Sequence, residues 1–234
     1  MIDPNYFLKG FKSIKGVGSP AIALGASFIA IGALLKNLGF SIQESIFSTF
    51  LTYALPGSLV MAESMLIGAS LINIFIAVWL VNARLYPMTV SLMPLLMHEN
   101  QPRWKYYLSC HFIAVSSWLI MKDNYEKTEK ENRIDFWIGI GTATWLVAII
   151  STIIGYVASD LLNKDMLIGL AIVNPVYFMC MMLGAMKTIQ IIWSVILGTI
   201  LGPVFYFLSP EWCILFGGFI AGTVAFLIGE KNGE

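Results

Sequence analysis

Charge is what this 234-residue chain has least of. Only 12% of its residues are Asp, Glu, Lys or Arg, while 58% are hydrophobic and the mean hydropathy is +0.78. Soluble domains carry about 25% charged residues, so the shortage excludes that class and points to an integral membrane protein. The charges that remain cancel, 14 basic against 14 acidic, which leaves no electrostatic footprint for a nucleic-acid partner. Cysteine is scarce as well. Cys110, Cys180 and Cys213 lie far apart in apolar surroundings, lack the spacing of a metal site or disulfide framework, and read as packing residues. HExxH, GxSxG, P-loop and CxxC patterns are all absent, so neither an enzyme nor a cofactor is implied.

What is present is a series of long apolar runs. A spanning helix needs roughly 20 apolar residues, and runs of that order occupy 20–38, 45–66, 68–97, 136–157, 166–186, 188–208 and 213–228. An eighth run, 106–121, is short and polar enough to cross as a thin buried helix or to lie along the interface. The expected fold is therefore an all-α polytopic membrane protein of seven to eight transmembrane helices. Lys9, Lys12 and Lys15 precede the first run without a small-residue cleavage site, so that run is expected to stay in the protein. With eight spans and a cytoplasmic N-terminus, Lys9, Lys12, Lys15, Lys122, Lys127, Lys130, Arg133, Lys187 and Lys231 lie inside, against Lys36, Arg103, Lys105 and Lys164 outside. Seven spans with an external N-terminus give the same balance, so the positive-inside rule does not separate the two. The three N-terminal lysines favour eight spans with both ends cytoplasmic.

The chain reads as one permease domain, 1–234. A charged loop at 122–135 divides it into halves of about 1–121 and 136–234, in which the order of Gly-punctuated and Pro-containing runs suggests a weak internal repeat. Transporters are commonly built so, with substrate sites where helices break near the midplane. Pro56-Gly57 and Asn174-Pro175 are read as such breaks, with a simple structural kink as the alternative at each. Pro in a helix removes a backbone hydrogen bond, and in lipid the freed groups must face protein or water.

Arg84 stands inside the third run, with Asn82 two residues before it. A charge at the bilayer centre costs a few kcal/mol on insertion scales, so it faces a bundle interior, a partner or a water-filled cavity. Its planar fork suits a carboxylate, although a structural bond to backbone carbonyls is the commoner use. Glu63 is read either as a buried partner of Arg84 or as a surface residue at the turn before the next run. His111 is read as a packing or hydrogen-bonding residue with Ser116 in reach, and His98 as a loop residue. Gly198-x-x-x-Gly202 and Gly218-x-x-x-Gly222 are small faces that permit close helix packing. Together Pro56, Gly57, Ser58, Asn82, Arg84 and Asn174 make up the candidate substrate site.

The order of these pieces resembles the AzlC-like family, the large subunits of bacterial branched-chain amino acid exporters. The resemblance rests on Phe7-Leu-Lys-Gly10, the Gly-rich stretch Leu24 to Gly32, Gly39-Phe-Ser41, the Asn82-Ala83-Arg84 signature, and the Pro175-containing stretch from Leu167 to Phe178. It implies export of branched-chain or similar small hydrophobic amino acids across the cytoplasmic membrane, with a small AzlD-like membrane subunit as partner. Two positions depart from the family pattern: Ser58 stands where a glutamine is usual, and Ser116-Ser117 follow His111-Phe112 where many members carry an acidic pair. The alternatives are a passive channel and a non-transporting subunit that stabilises a partner.

Overall fold

The computed structural model describes residues 2–15, 20–66, 68–83, 85–161, 163, 165–169, 172, 176, 179–180, 189–208 and 213–231. Among them all regular structure is helical. The helices are α1 (Pro4–Lys12), α2 (Pro20–Asn37), α3 (Ile42–Thr52), α4 (Leu55–Leu66), α5 (Leu71–Asn82), α6 (Leu85–Leu96), α7 (Arg103–Ser109), α8 (Val115–Asn124), α9 (Arg133–Ala158), α10 (Ile189–Leu208) and α11 (Cys213–Lys231). By length and composition three stretches can cross a membrane: Pro20–Asn37, Lys130–Ala158 and Ile189–Leu208. Counting the bent pair α5 and α6 as one span makes four. The expected all-α membrane class is thus met, while several of the expected spans are half-length helices.

Local chemistry sets the helix ends. The Asp3 carboxylate caps α1 by accepting from Asn5 N–H, with Pro4 at the first helical position, where its missing N–H costs nothing. Gly39, at φ +85, ends α2, a conformation that glycine adopts without strain. Ser41 and Glu44 form a reciprocal capping box for α3, and the Ser41 N–H and hydroxyl hold the Glu44 carboxyl below its usual range.

Helix α9 is the axis of the first of two compact units, residues 1–175. Its glycines let other backbones come into direct contact. Gly139 faces Phe7 and Phe11, Gly155 faces Ile29, and Gly32 and Gly10 in turn face the α9 backbone at Thr152 and Phe136. A Cβ at any of these positions collides with backbone. This packing ties α9 to α1 and α2, so the compact units divide at Pro175/Val176 and not at 122–135. In the second unit, residues 176–234, α10 packs against α11, with Gly217 against Gly202. Gly217, a neighbour of the expected 218/222 face, thus approaches the Gly202 backbone, while a Cβ at Gly198, Gly202, Gly218 or Gly222 meets nothing within 4 Å among the described residues.

Ion pairs mark the two ends of α9. At one end Lys36 Nζ meets the Asp160 carboxylate at 2.8 Å on the surface, holding that carboxyl below its ordinary value. At the other, Lys105 Nζ meets Asp135 Oδ1 at 2.6 Å, and both side chains are buried at 0% and 2% exposure. Asp135 Oδ2 also accepts from Asp3 N–H, and Lys105 Nζ donates to Gln101 Oε1. The eight-span expectation places Lys105 and Arg133 on opposite sides of a membrane and the seven-span one on the same side; the bonded pair puts 105 and 135 at one end of the bundle. Desolvating both charges is tolerable because each has partners.

Candidate functional site

Of three helix breaks, the first and third meet at the middle of α9. The first lies at Tyr53-Ala54, between α3 and α4. Tyr53 is a non-glycine residue at φ 34, a conformation disfavoured for a bulky side chain. Burial holds it there: Tyr53 is 2% exposed, stacks on Phe28 and packs with Leu24 and Ala148. The break expected at Pro56-Gly57 thus falls one turn earlier. Pro56 sits at the second position of α4, where the absence of its N–H leaves no gap in the hydrogen-bond ladder.

The second break separates α5 from α6, with a bend of 45°. The third is Ile113-Ala114, between a short 3-10 turn after α7 and the start of α8. Ala114 and Leu55 both pack on the Leu24, Phe28, Tyr53 and Ala148 cluster, together with Trp145. Residues 144–148 lie 9–13 positions beyond Asp135, or about 14–20 Å at 1.5 Å per residue, close to half of a ~30 Å hydrocarbon core.

Ending a helix frees carbonyls, and Phe50 O at the end of α3 finds two donors. His111 Nε2 lies 3.0 Å from it and Trp145 Nε1 3.2 Å. His111 does hydrogen-bond, but to this carbonyl and not to Ser116, and its ring touches Tyr53, Phe112 and Trp145. The bond ties the end of α3 to the connection between α7 and α8.

Other polar groups here are left unmatched. Among the described residues, the hydroxyls of Ser27, Ser48 and Ser58 and Asn82 Oδ1 are buried without a hydrogen-bond partner, while the Tyr53 hydroxyl has the Thr144 hydroxyl beside it. An unmatched group of this kind costs about 1–3 kcal/mol, a cost that water or a polar guest removes by supplying the bonds. Asn82 lies directly over Gly57, where a Cβ would sit 2.6 Å from Asn82 Nδ2. The structure thus brings Pro56, Gly57, Ser58 and Asn82 together where the start of α4 meets the end of α5. Arg84, Asn174 and Pro175 lie outside the described residues, as does the Glu63 side chain. Tyr53, Ser27 and His111 were missed as site residues, since nothing in their sequence neighbourhood reports the breaks of other helices.

An open cavity of about 1210 Å³ lies at the Asp135 end, lined by Met93, Met97, Gln101, Arg103, Tyr107 and Cys110 among others. Arg103, Tyr107 and Cys110 follow the i, i+4, i+7 spacing of one face of α7, so the cavity runs along that helix toward its break. Cys110 and Cys180 are exposed, which corrects their reading as buried packing residues. Cys213 lies outside the described side chains. His98 is in a loop as expected, its Nε2 3.9 Å from Glu131 Oε1. Among the described residues no His, Cys, Asp or Glu cluster suits a metal ion.

Among the described residues the structure is all-helical, with apolar helices of membrane length and others that are broken, which is the architecture of a membrane protein. A family model described as AzlC protein matches residues 20–162, more than half of the chain, and the chain belongs to that family. No curated protein and no solved structure gives a significant match.

Proposed function

We propose that the chain is a multi-pass permease subunit of the cytoplasmic membrane that exports branched-chain or similar small hydrophobic amino acids, working with a small AzlD-like membrane subunit. The observation that carries this reading is a pair of buried, unmatched polar atoms, Ser58 Oγ and Asn82 Oδ1, near the start of α4, where Leu55 packs on the Leu24 and Phe28 cluster. Such a mixture suits a ligand with an apolar side chain and a polar head. The amino end of α4 adds the positive end of a helix dipole for a carboxylate, as discontinuous helices do in other transporters. Seven to eight apolar segments engage the bilayer in this reading, some of them only half-way. Direction of export and the companion subunit come from the family resemblance alone. The acidic pair of many relatives is replaced by Ser116-Ser117, so no proton-coupling role is assigned to that position.

Counterflow in proteoliposomes containing both subunits tests it. Labelled leucine should exchange faster against internal leucine than it enters empty vesicles, whereas a channel gives no acceleration and a non-transporting subunit no flux. Ser58→Ala should cut exchange at least tenfold while leaving thermal stability equal or higher, because it removes an unmatched buried hydroxyl. A variant that loses stability but keeps its exchange rate refutes the site.

A further inference from the structure

We propose that residues 42–66 and 103–124 are two re-entrant hairpins, which enter the bilayer from opposite faces and meet at its midplane, where their tips close the transport path. The closing role rests on the transport reading above. The face from which each hairpin enters and to which it returns stands on geometry alone, with α9 as the ruler.

The hairpin of α7 and α8 begins and ends at the Asp135 end of α9. Lys105 binds Asp135, and Gln101 Nε2 donates to Glu131 O at 2.7 Å. Further in, Trp137 Nε1 donates to Ser109 O, Phe112 packs onto Gly141, and His111 reaches Trp145. After the Ala114 break the chain returns. Ile120 and Met121 pack with Ile134 and Trp137, and Tyr125 lies against Arg133, whose Nη1 also donates to Leu95 O. A segment that starts at residue 135, turns near 145 and returns to 133 has not crossed.

The hairpin of α3 and α4 starts at the other end. Tyr156 hydroxyl donates to Phe40 O just before α3, Thr49 bonds Thr152, and Phe50 O reaches Trp145. The direction of α4 follows from its neighbours. Asn82, at the end of α5, lies over Gly57 at the start of α4, so the two helices run antiparallel. The α5 to α6 bend is only 45°, and α6 ends with Leu92 and Leu96 packed on Ile134 and Trp137 at the Asp135 end. Helix α5 therefore starts at the Asp160 end, and α4 must finish there, on the side where α3 began.

Charge supports this arrangement independently. The basic residues at 9, 12, 15, 103, 105, 122, 127, 130 and 133 gather at the Asp135 end, and up to residue 161 only Lys36 lies at the other, Arg84 apart. Nine against one obeys the positive-inside rule better than either full-span topology and makes the Asp135 end cytoplasmic. Irregular backbone at such depth is tolerated only when buried in protein or lining a cavity. Both tips meet that condition: Phe50 O is capped from the opposite hairpin, and Tyr53 and Ile113 are buried.

Single cysteines test the proposal: Gln43→Cys, exposed, and Ala69→Cys, partly exposed, at the ends of the first hairpin, and Glu99→Cys and Glu126→Cys, both exposed, at the ends of the second. Intact cells and inverted vesicles are treated with a membrane-impermeant maleimide, and peptide mass spectrometry locates the label, so the native cysteines stay in place. Gln43→Cys and Ala69→Cys should label from the cell exterior only, and Glu99→Cys and Glu126→Cys from the cytoplasmic side only. Either pair split between the two sides overturns the architecture, whether or not the protein transports. His111→Leu, which removes the tie between the tips, should keep the labelling pattern and lower leucine exchange at least tenfold. Exchange at the parental rate overturns the closing role.

Discussion

Replacing Lys105 with methionine keeps most of its length and removes its charge from a place where water cannot compensate. The side chain is fully buried and its ammonium lies 2.6 Å from Asp135. Breaking a buried pair by deleting one partner costs about 3–5 kcal/mol, because the other charge is left uncompensated. Asp135 retains the Asp3 N–H, so the lower end of that range, about 3 kcal/mol, is expected. For soluble proteins of this size each kcal/mol moves Tm by ~2–4 °C, which translates to a fall of roughly 6–12 °C. Size-exclusion chromatography of the detergent-solubilised protein after heating measures it. Adding Asp135→Asn neutralises the stranded carboxylate, and the double variant should recover at least half of the loss. A single variant within about 2 °C of the parent, or a double variant less stable than the single one, would refute the view that this pair anchors α7 to α9.

Four further outcomes follow from the same geometry. Gly155→Ala and Gly32→Ala push a Cβ into the facing backbone carbonyls and should each cost about 1–3 kcal/mol by the same heating assay. Gly198→Ala and Gly222→Ala, which meet nothing within 4 Å in the described structure, should leave Tm unchanged. Gly57→Ala meets the mobile end of Asn82, so the fold should survive while leucine exchange falls several-fold; unchanged exchange would separate Asn82 from the substrate. The Lys36–Asp160 pair lowers the Asp160 carboxyl below its usual 3.8, so its contribution is fully present above that value and is lost as pH falls through the lowered one. Any stability difference between the parent and Lys36→Met should accordingly persist from neutral pH down to about pH 4 and close only below it, which a pH series of melting curves would show.

Much of this molecule is legible without coordinates, because lipid compatibility is written in composition and run length. The shortage of charge sets the membrane class, the apolar runs locate α2, α9 and α10 within a few residues, and the glycine, proline and Asn82-Ala83-Arg84 patterns carry the family. Pro56, Gly57, Ser58 and Asn82 are found as a group because proline and buried amides are conspicuous in an apolar run. Hydropathy, however, reports that a segment is apolar and not which way it travels. A half-length helix that turns back leaves the same trace as one that continues, so 45–66 reads as a span and 106–121 as a thin span or an interfacial helix. The turn itself is made by Tyr53 in a left-handed conformation, held by Phe28 and Ala148 from other helices, and by His111 and Trp145 capping Phe50 from farther still. The side of Lys105 likewise depends on a partner 30 residues away in α9. Those contacts join positions far apart in the chain, and only the packed structure decides them.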